Sequence, residues 1–188
     1  MNTRQLLFIL IAVIAAIFAP SQLRADEEKI WHVKAIHPDG RLLDVKAIDK
    51  DGKIHGIKAI ETDGNVHLLD IKATVGDQKL PVKVLPKAAG DTFEPVKAIG
   101  EDGTIYAIKA LTTDGTKLDV KGVKRSGNII HIKAVAPDGT FYGVKAISPE
   151  GRVYDVKGIK MNKEPVEGKV NGVDFAAHIK AIPQAPSN

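Results

Sequence analysis

Val45-Lys46-Ala47-Ile48-Asp49-Lys50-Asp51-Gly52 reads as the second half of a β-strand followed by a reversal. Ile57-Lys58-Ala59-Ile60-Glu61-Thr62-Asp63-Gly64 repeats it 12 residues later. The same phrase recurs around Lys34, Lys46, Lys58, Lys72, Lys83, Lys97, Lys109, Lys121, Lys133, Lys145, Lys157 and Lys180, each preceded by Val or Ile. A short period of this kind marks a repeat architecture. Stretches such as Thr104-Ile105-Tyr106-Ala107-Ile108-Lys109-Ala110-Leu111 are rich in β-branched and aromatic residues, which favour strands. Pro38-Asp39-Gly40, Pro137-Asp138-Gly139 and Pro149-Glu150-Gly151 punctuate them. Pro presets the first turn residue, and Gly accepts the left-handed conformation that ends a three-residue hairpin loop.

With the lysine at position six of each repeat, positions three, five and seven share one face. They read Leu43-Val45-Ala47, Tyr106-Ile108-Ala110, Ile130-Ile132-Ala134 and Tyr142-Val144-Ala146. This apolar face is the expected core, and a large residue at position three meets a small one at position seven of the next strand. The opposite face carries lysine at six and often a polar residue at four: His32, Asp44, Asp119, His131, Asp155 and His178. The same register sets Lys34 and Lys58 beside Asp44, Lys109 and Lys133 beside Asp119, and Lys145 beside Asp155.

The expected fold is all-β: a twelve-stranded antiparallel meander that closes into a barrel or barrel-like sandwich, since closure removes exposed edges. One difficulty stands. Identical turns ask the same residues to bond to both neighbours, so the turns must alternate in geometry. A parallel β-solenoid avoids the conflict and is the alternative.

Three segments follow. Residues 1–25 show a basic start, an apolar run from Leu6 to Phe18 and a small-residue site ending at Ala25, the pattern of a cleaved secretory signal. Residues 26–182 form one β-repeat domain, and residues 183–188 a disordered tail. Removing Arg4 and Arg24 leaves 25 basic against 23 acidic residues, a net charge of +2. Bulk composition therefore supplies no nucleic-acid footprint. The absence of cysteine excludes disulfides, thiol catalysis and thiolate metal sites. The expected location is periplasmic or secreted, with no transmembrane span in the mature chain.

Chemistry is sparse. The lysine row, Lys46, Lys58, Lys109, Lys121, Lys133, Lys145 and Lys157, is the candidate ligand-binding surface. A regular basic stripe could track an envelope polysaccharide or another anionic polymer; a solvated Lys–Asp ladder is the competing reading. His32, His131 and His178 share position four, and closure would bring the first and last strands together, but no carboxylate cluster or ligand spacing supports a metal. Glu164, Glu167 and Asp174 lie near an irregular C-terminal loop, Met161 to Gly172, without a nucleophile or base motif. Asp49-Lys50-Asp51-Gly52 lacks the distal Glu of a calcium loop. No catalytic residue, cofactor or metal is expected. The sequence points to a non-enzymatic binding or structural module; a small-ligand carrier with a pocket lined by Tyr106, Tyr142 and Tyr154 is an alternative.

The Val-Lys-Ala-Ile and Asp-Gly phrases, with the closing Asn171-Gly172-Val173 and Ala177-His178-Ile179-Lys180-Ala181, resemble exported bacterial repeat proteins of unassigned function. The resemblance covers nearly all of the chain after residue 25. It implies export and a repetitive all-β fold, and it brings no catalytic residues.

Overall fold

The computed structural model describes residues 28–61 and 65–184. The expected signal segment lies outside these residues, as does residues 185–188 of the expected tail. Twelve strands, one per repeat lysine, form a single sheet. They are β1 (Lys29–Ile36), β2 (Leu42–Ile48), β3 (Ile54–Glu61), β4 (Leu69–Val75), β5 (Gln78–Val84), β6 (Glu94–Ile99), β7 (Ile105–Leu111), β8 (Lys117–Ser126), β9 (Ile129–Val135), β10 (Phe141–Ile147), β11 (Val153–Ile159) and β14 (Ala177–Pro183). Two short strands, β12 (Gly168–Val170) and β13 (Val173–Phe175), pair with each other where the sequence suggested only an irregular loop. Asn171 and Gly172 both have positive φ, the two-residue turn that an Asn-Gly pair favours.

Every pairing is antiparallel and each of the first ten strands pairs with its successor, so the meander holds and the solenoid does not. The expected loop is present too. His37 N donates to Arg41 O (2.9 Å), and Gly40 between them has φ 91°.

The bonding difficulty is resolved by a split edge. Along one edge β2 pairs with β7 from Asp44 to Ile48. Along the other, its first half pairs back to β1 (Asp44 opposite Lys34) and its second half forward to β3 (Lys46 opposite Gly56). β3 in turn pairs with β1, placing Lys58 opposite His32. Three strands thus close a triangle, called a corner here. The sheet has four: β1–β2–β3, β14–β4–β5, β6–β7–β8 and β9–β10–β11. Six long pairings join the corners, and each pair of corners is joined once: β3–β4, β2–β7, β1–β10, β5–β6, β11–β14 and β8–β9. Four corners and six edges make the connectivity of a tetrahedron, and the sheet closes without a free edge strand.

The expected face is inside. Position seven is wholly buried in strand after strand, as at Ala35, Ala47, Ala59, Ala110 and Ala146. Ala35 faces Leu43 and Ala146 faces Tyr154, the large-to-small match the repeat demands. All twelve position-five residues, Val33 through Ile179, meet at the centre and leave about 10 Å³. That is the least that holds one water, and an all-aliphatic lining offers it no partner. The centre is filled, so the interior-pocket alternative fails. Its three tyrosines pack outside the centre: Tyr154 against Trp31 (4.5 Å between centroids), Tyr142 against His37 and Tyr106 against His55.

Candidate anion-binding surface

Position six points outward in every repeat, and the six corner-joining pairings set lysine directly against lysine. Lys34 faces Lys145, Lys46 faces Lys109, Lys58 faces Lys72, Lys83 faces Lys97, Lys121 faces Lys133 and Lys157 faces Lys180. Like charges directly opposite one another destabilise a sheet. Relief comes from the corners, each of which holds three lysines and one aspartate.

The aspartates do not reach every lysine. Asp44 accepts from Lys34 and lies 3.5 Å from Lys46. Asp119 accepts from Lys109 and lies 4.0 Å from Lys121. Asp155 accepts from Lys145 and lies 3.1 Å from Lys157. Asp70 accepts from Lys180. The Lys34 hydrogen bond is the main force holding Asp44 below the usual carboxylate range. At Asp70, Asp119 and Asp155 burial pulls upward, and the lysine hydrogen bonds and charges outweigh it.

Two expected neighbours are corrected. Lys58 is not beside Asp44; it faces His32, with Nζ 3.3 Å from Nδ1. Lys133 is not beside Asp119 on β7's side of the strand; it faces Gly143 and Lys121. The cause is the split edge. Along it each position six meets a single position four of its own corner, and the partner across the unbroken edge is another lysine. The remaining candidates, Lys46, Lys109, Lys121, Lys145 and Lys157, each have a carboxylate within 4.0 Å and side chains 18–32% exposed.

The position-four histidines lie in three different corners, so closure of the sheet does not bring His32 to His178. His178 Nδ1 is 2.7 Å from Lys83 Nζ, and His131 Nδ1 is 3.4 Å from Lys157 Nζ. All three pKa values are pushed below 6.5: His32 chiefly by the Lys58 charge, His131 and His178 chiefly by burial, then by Lys157 and Lys83. Each is a neutral acceptor for an ammonium. Among the described residues no group of three or more His, Asp or Glu is placed to hold a metal.

Sequence reasoning missed two residues. Phe175 lies under Lys83, with Nζ 4.7 Å from the ring centroid, and beside His178. Lys160 is 3% exposed and donates to the carbonyls of Glu164 and Ala176, tying down the C-terminal loop. Both lie where the repeat breaks, so periodicity could not find them. The loop acids are spent locally: Glu167 accepts from the backbone of Met161 and Asn162, and Asp174 pairs with Lys169.

A family model matches the chain over residues 27–182. The chain belongs to a family of unknown function, DUF7486. No curated protein and no solved structure matches this DUF7486 chain. The family span starts two residues before β1 and ends one residue before the end of β14, so it takes in the whole closed sheet.

Proposed function

We propose that the chain is an exported, non-enzymatic module of the cell envelope that binds an anionic polymer through its outer lysines. One observation carries this reading. Position six is lysine in all twelve repeats, although each lysine faces another across a corner-joining edge. Position four opposite it varies freely among Asp, His, Gly, Pro and Ala. A ladder serving stability alone would vary the lysine and keep the acid. Keeping twelve cations at a folding cost fits an external negative partner. The filled interior leaves the surface as the place for recognition, and the signal pattern at residues 1–25 supports export.

The test is direct. Full-length chain expressed in a bacterium is expected in the periplasm, beginning at Asp26. That material is expected to bind heparin at low ionic strength and to elute as salt screens it. Recovery from the cytosol with residues 1–25 intact removes the export half. Flow-through at low salt removes the binding half.

A further inference from the structure

The six facing lysine pairs are not equivalent. Among the described residues, four pairs contain at least one lysine with a carboxylate within 4.0 Å, and three of these four are matched on both sides. Two pairs have none on either side: Lys58 facing Lys72, and Lys83 facing Lys97. These two pairs lie on the consecutive, mutually paired strands β3, β4, β5 and β6.

Position four explains the difference. Across the split edge, Lys72 faces Pro81 and Lys97 faces Ala107, neither of which offers a side-chain acceptor. Lys58 and Lys83 face His32 and His178. The acids of their corners serve other lysines: Asp44 serves Lys34 and Lys46, Asp70 serves Lys180, and Asp119 serves Lys109 and Lys121. On the outer face, Gly56, Pro81 and Pro95 flank the lysines of β3, β5 and β6, while Phe175 and His178 pack beside Lys83. The result is a continuous row of four cations. Their Cβ atoms are about 5 Å apart across each facing pair and about 7–8 Å apart on the diagonal from Lys72 to Lys83.

Resting on the anionic-polymer reading above, we infer that binding concentrates on this row and that the ligand is a linear acidic polysaccharide lying across β3–β6. Its carboxylates or sulfates take the place of the four missing aspartates, one cation per strand. A flexible sugar chain with regularly spaced acids can follow that spacing. Within β3–β6 no outer-face position is Phe, Tyr or Trp; Phe175 against Lys83 is buried and Phe93 just before β6 packs edge-on against Phe141, so these rings offer no open platform on which the bases of a single-stranded nucleic acid could stack. The condition of Lys83 agrees: burial, then the charges of Lys72 and Lys180, push its pKa down to about 8. Lys97 is lowered too, by burial and then by Lys121. A bound anion relieves both.

The experiment compares two charge-matched double variants of the mature chain, K72Q/K83Q on the row and K34Q/K145Q on a pair clamped by Asp44 and Asp155. Binding to heparin and to polygalacturonate is titrated over a range of salt, with circular dichroism confirming that each variant is folded. The row variant is expected to lose about tenfold or more in affinity and about two in the log–log salt slope; the clamped variant loses less than about threefold. Equal losses overturn the row and leave the anionic-polymer reading standing. Wild-type protein that binds neither polysaccharide overturns that reading itself. Tighter binding to oligo-dT than to either polysaccharide overturns the ligand class.

Discussion

The fourth corner and the second solve the same geometric problem with different pieces of chain. β9, β10 and β11 are consecutive, joined by short hairpins, and close their triangle locally. β4 and β5 are consecutive, but their triangle waits for β14, which arrives about ninety residues later through the C-terminal loop. Charge differs in the same way. Asp155 serves two lysines of the fourth corner, whereas Asp70 serves one of the second, leaving Lys72 and Lys83 without a carboxylate within 4.0 Å among the described residues. The corner completed last is also the least neutralised. Order of assembly and charge balance are therefore separable properties of one repeated design.

The strongest way to break this comparison is to remove the late strand. Ending the chain at Ala176 deletes β14, takes Lys180 from Asp70 and Ile179 from the centre, and opens the long β11–β14 edge. Long-range closure is all that completes the second corner, so the truncated chain is expected to lose its cooperative thermal transition. A truncated protein that still melts cooperatively within about 3 °C of wild type, a shift worth about 1 kcal/mol, would show that three corners suffice.

A finer test lies where the two corners touch. Position seven is alanine in nine strands, Val84 in β5 and glycine in β8 and β11, at Gly122 and Gly158. Val84 faces Ala177, reversing the usual large-at-three, small-at-seven match. Its methyl then takes the space of a side chain at 158: a Cβ there would lie 3.0 Å from both Val84 Cγ2 and Ile130 Cβ. Gly158→Ala is expected to cost about 1–3 kcal/mol by overpacking. Val84→Ala alone costs about 2 kcal/mol by leaving a cavity. The double variant should cost less than the sum, because each change relieves the other. Strict additivity in urea melts would show that Ile130 alone sets the limit.

These two sites mark how far the sequence could be read. Residues that obey the period were legible. The inward face, the three-residue loops, the strand count and the Lys34–Asp44, Lys109–Asp119 and Lys145–Asp155 pairs all follow from position within a repeat. What the period cannot carry is which strands meet across the unbroken edges. The split edge takes Lys58 to His32 and Lys133 to Gly143 instead of to the expected aspartates, and the unbroken edges create facing lysine pairs that no register within a repeat contains. The tyrosines suggested a pocket because a barrel of twelve strands has a lumen. A sheet folded into four corners brings twelve valines and isoleucines to one point instead. Phe175 beneath Lys83 comes from a segment outside the repeat, so no register argument reaches it.

The smallest expected effect concerns Lys83 itself. Its folded pKa of about 8 lies below the unfolded value near 10.5, with burial as the first cause and the Lys72 and Lys180 charges next. Below pH 8 the lysine is charged in both states, and the folded state carries the penalty of holding that charge among two others. Between about pH 8 and 10.5 the unfolded chain binds more proton than the folded one, so stability rises with pH through this window. Lys83→Met removes the titration. Wild type is therefore expected to gain stability relative to Lys83→Met as pH climbs from 8 to 10.5, and to gain nothing on it between pH 6.5 and 7.5. Lys145→Met is the matched control in the fourth corner, where Asp155 accepts from the lysine it removes; it should be destabilised near neutral pH. Parallel pH profiles for the two variants in chemical denaturation would mean that the second corner is no more strained by charge than the fourth. The row of lysines would then lose its claim to be the unbalanced part of the surface.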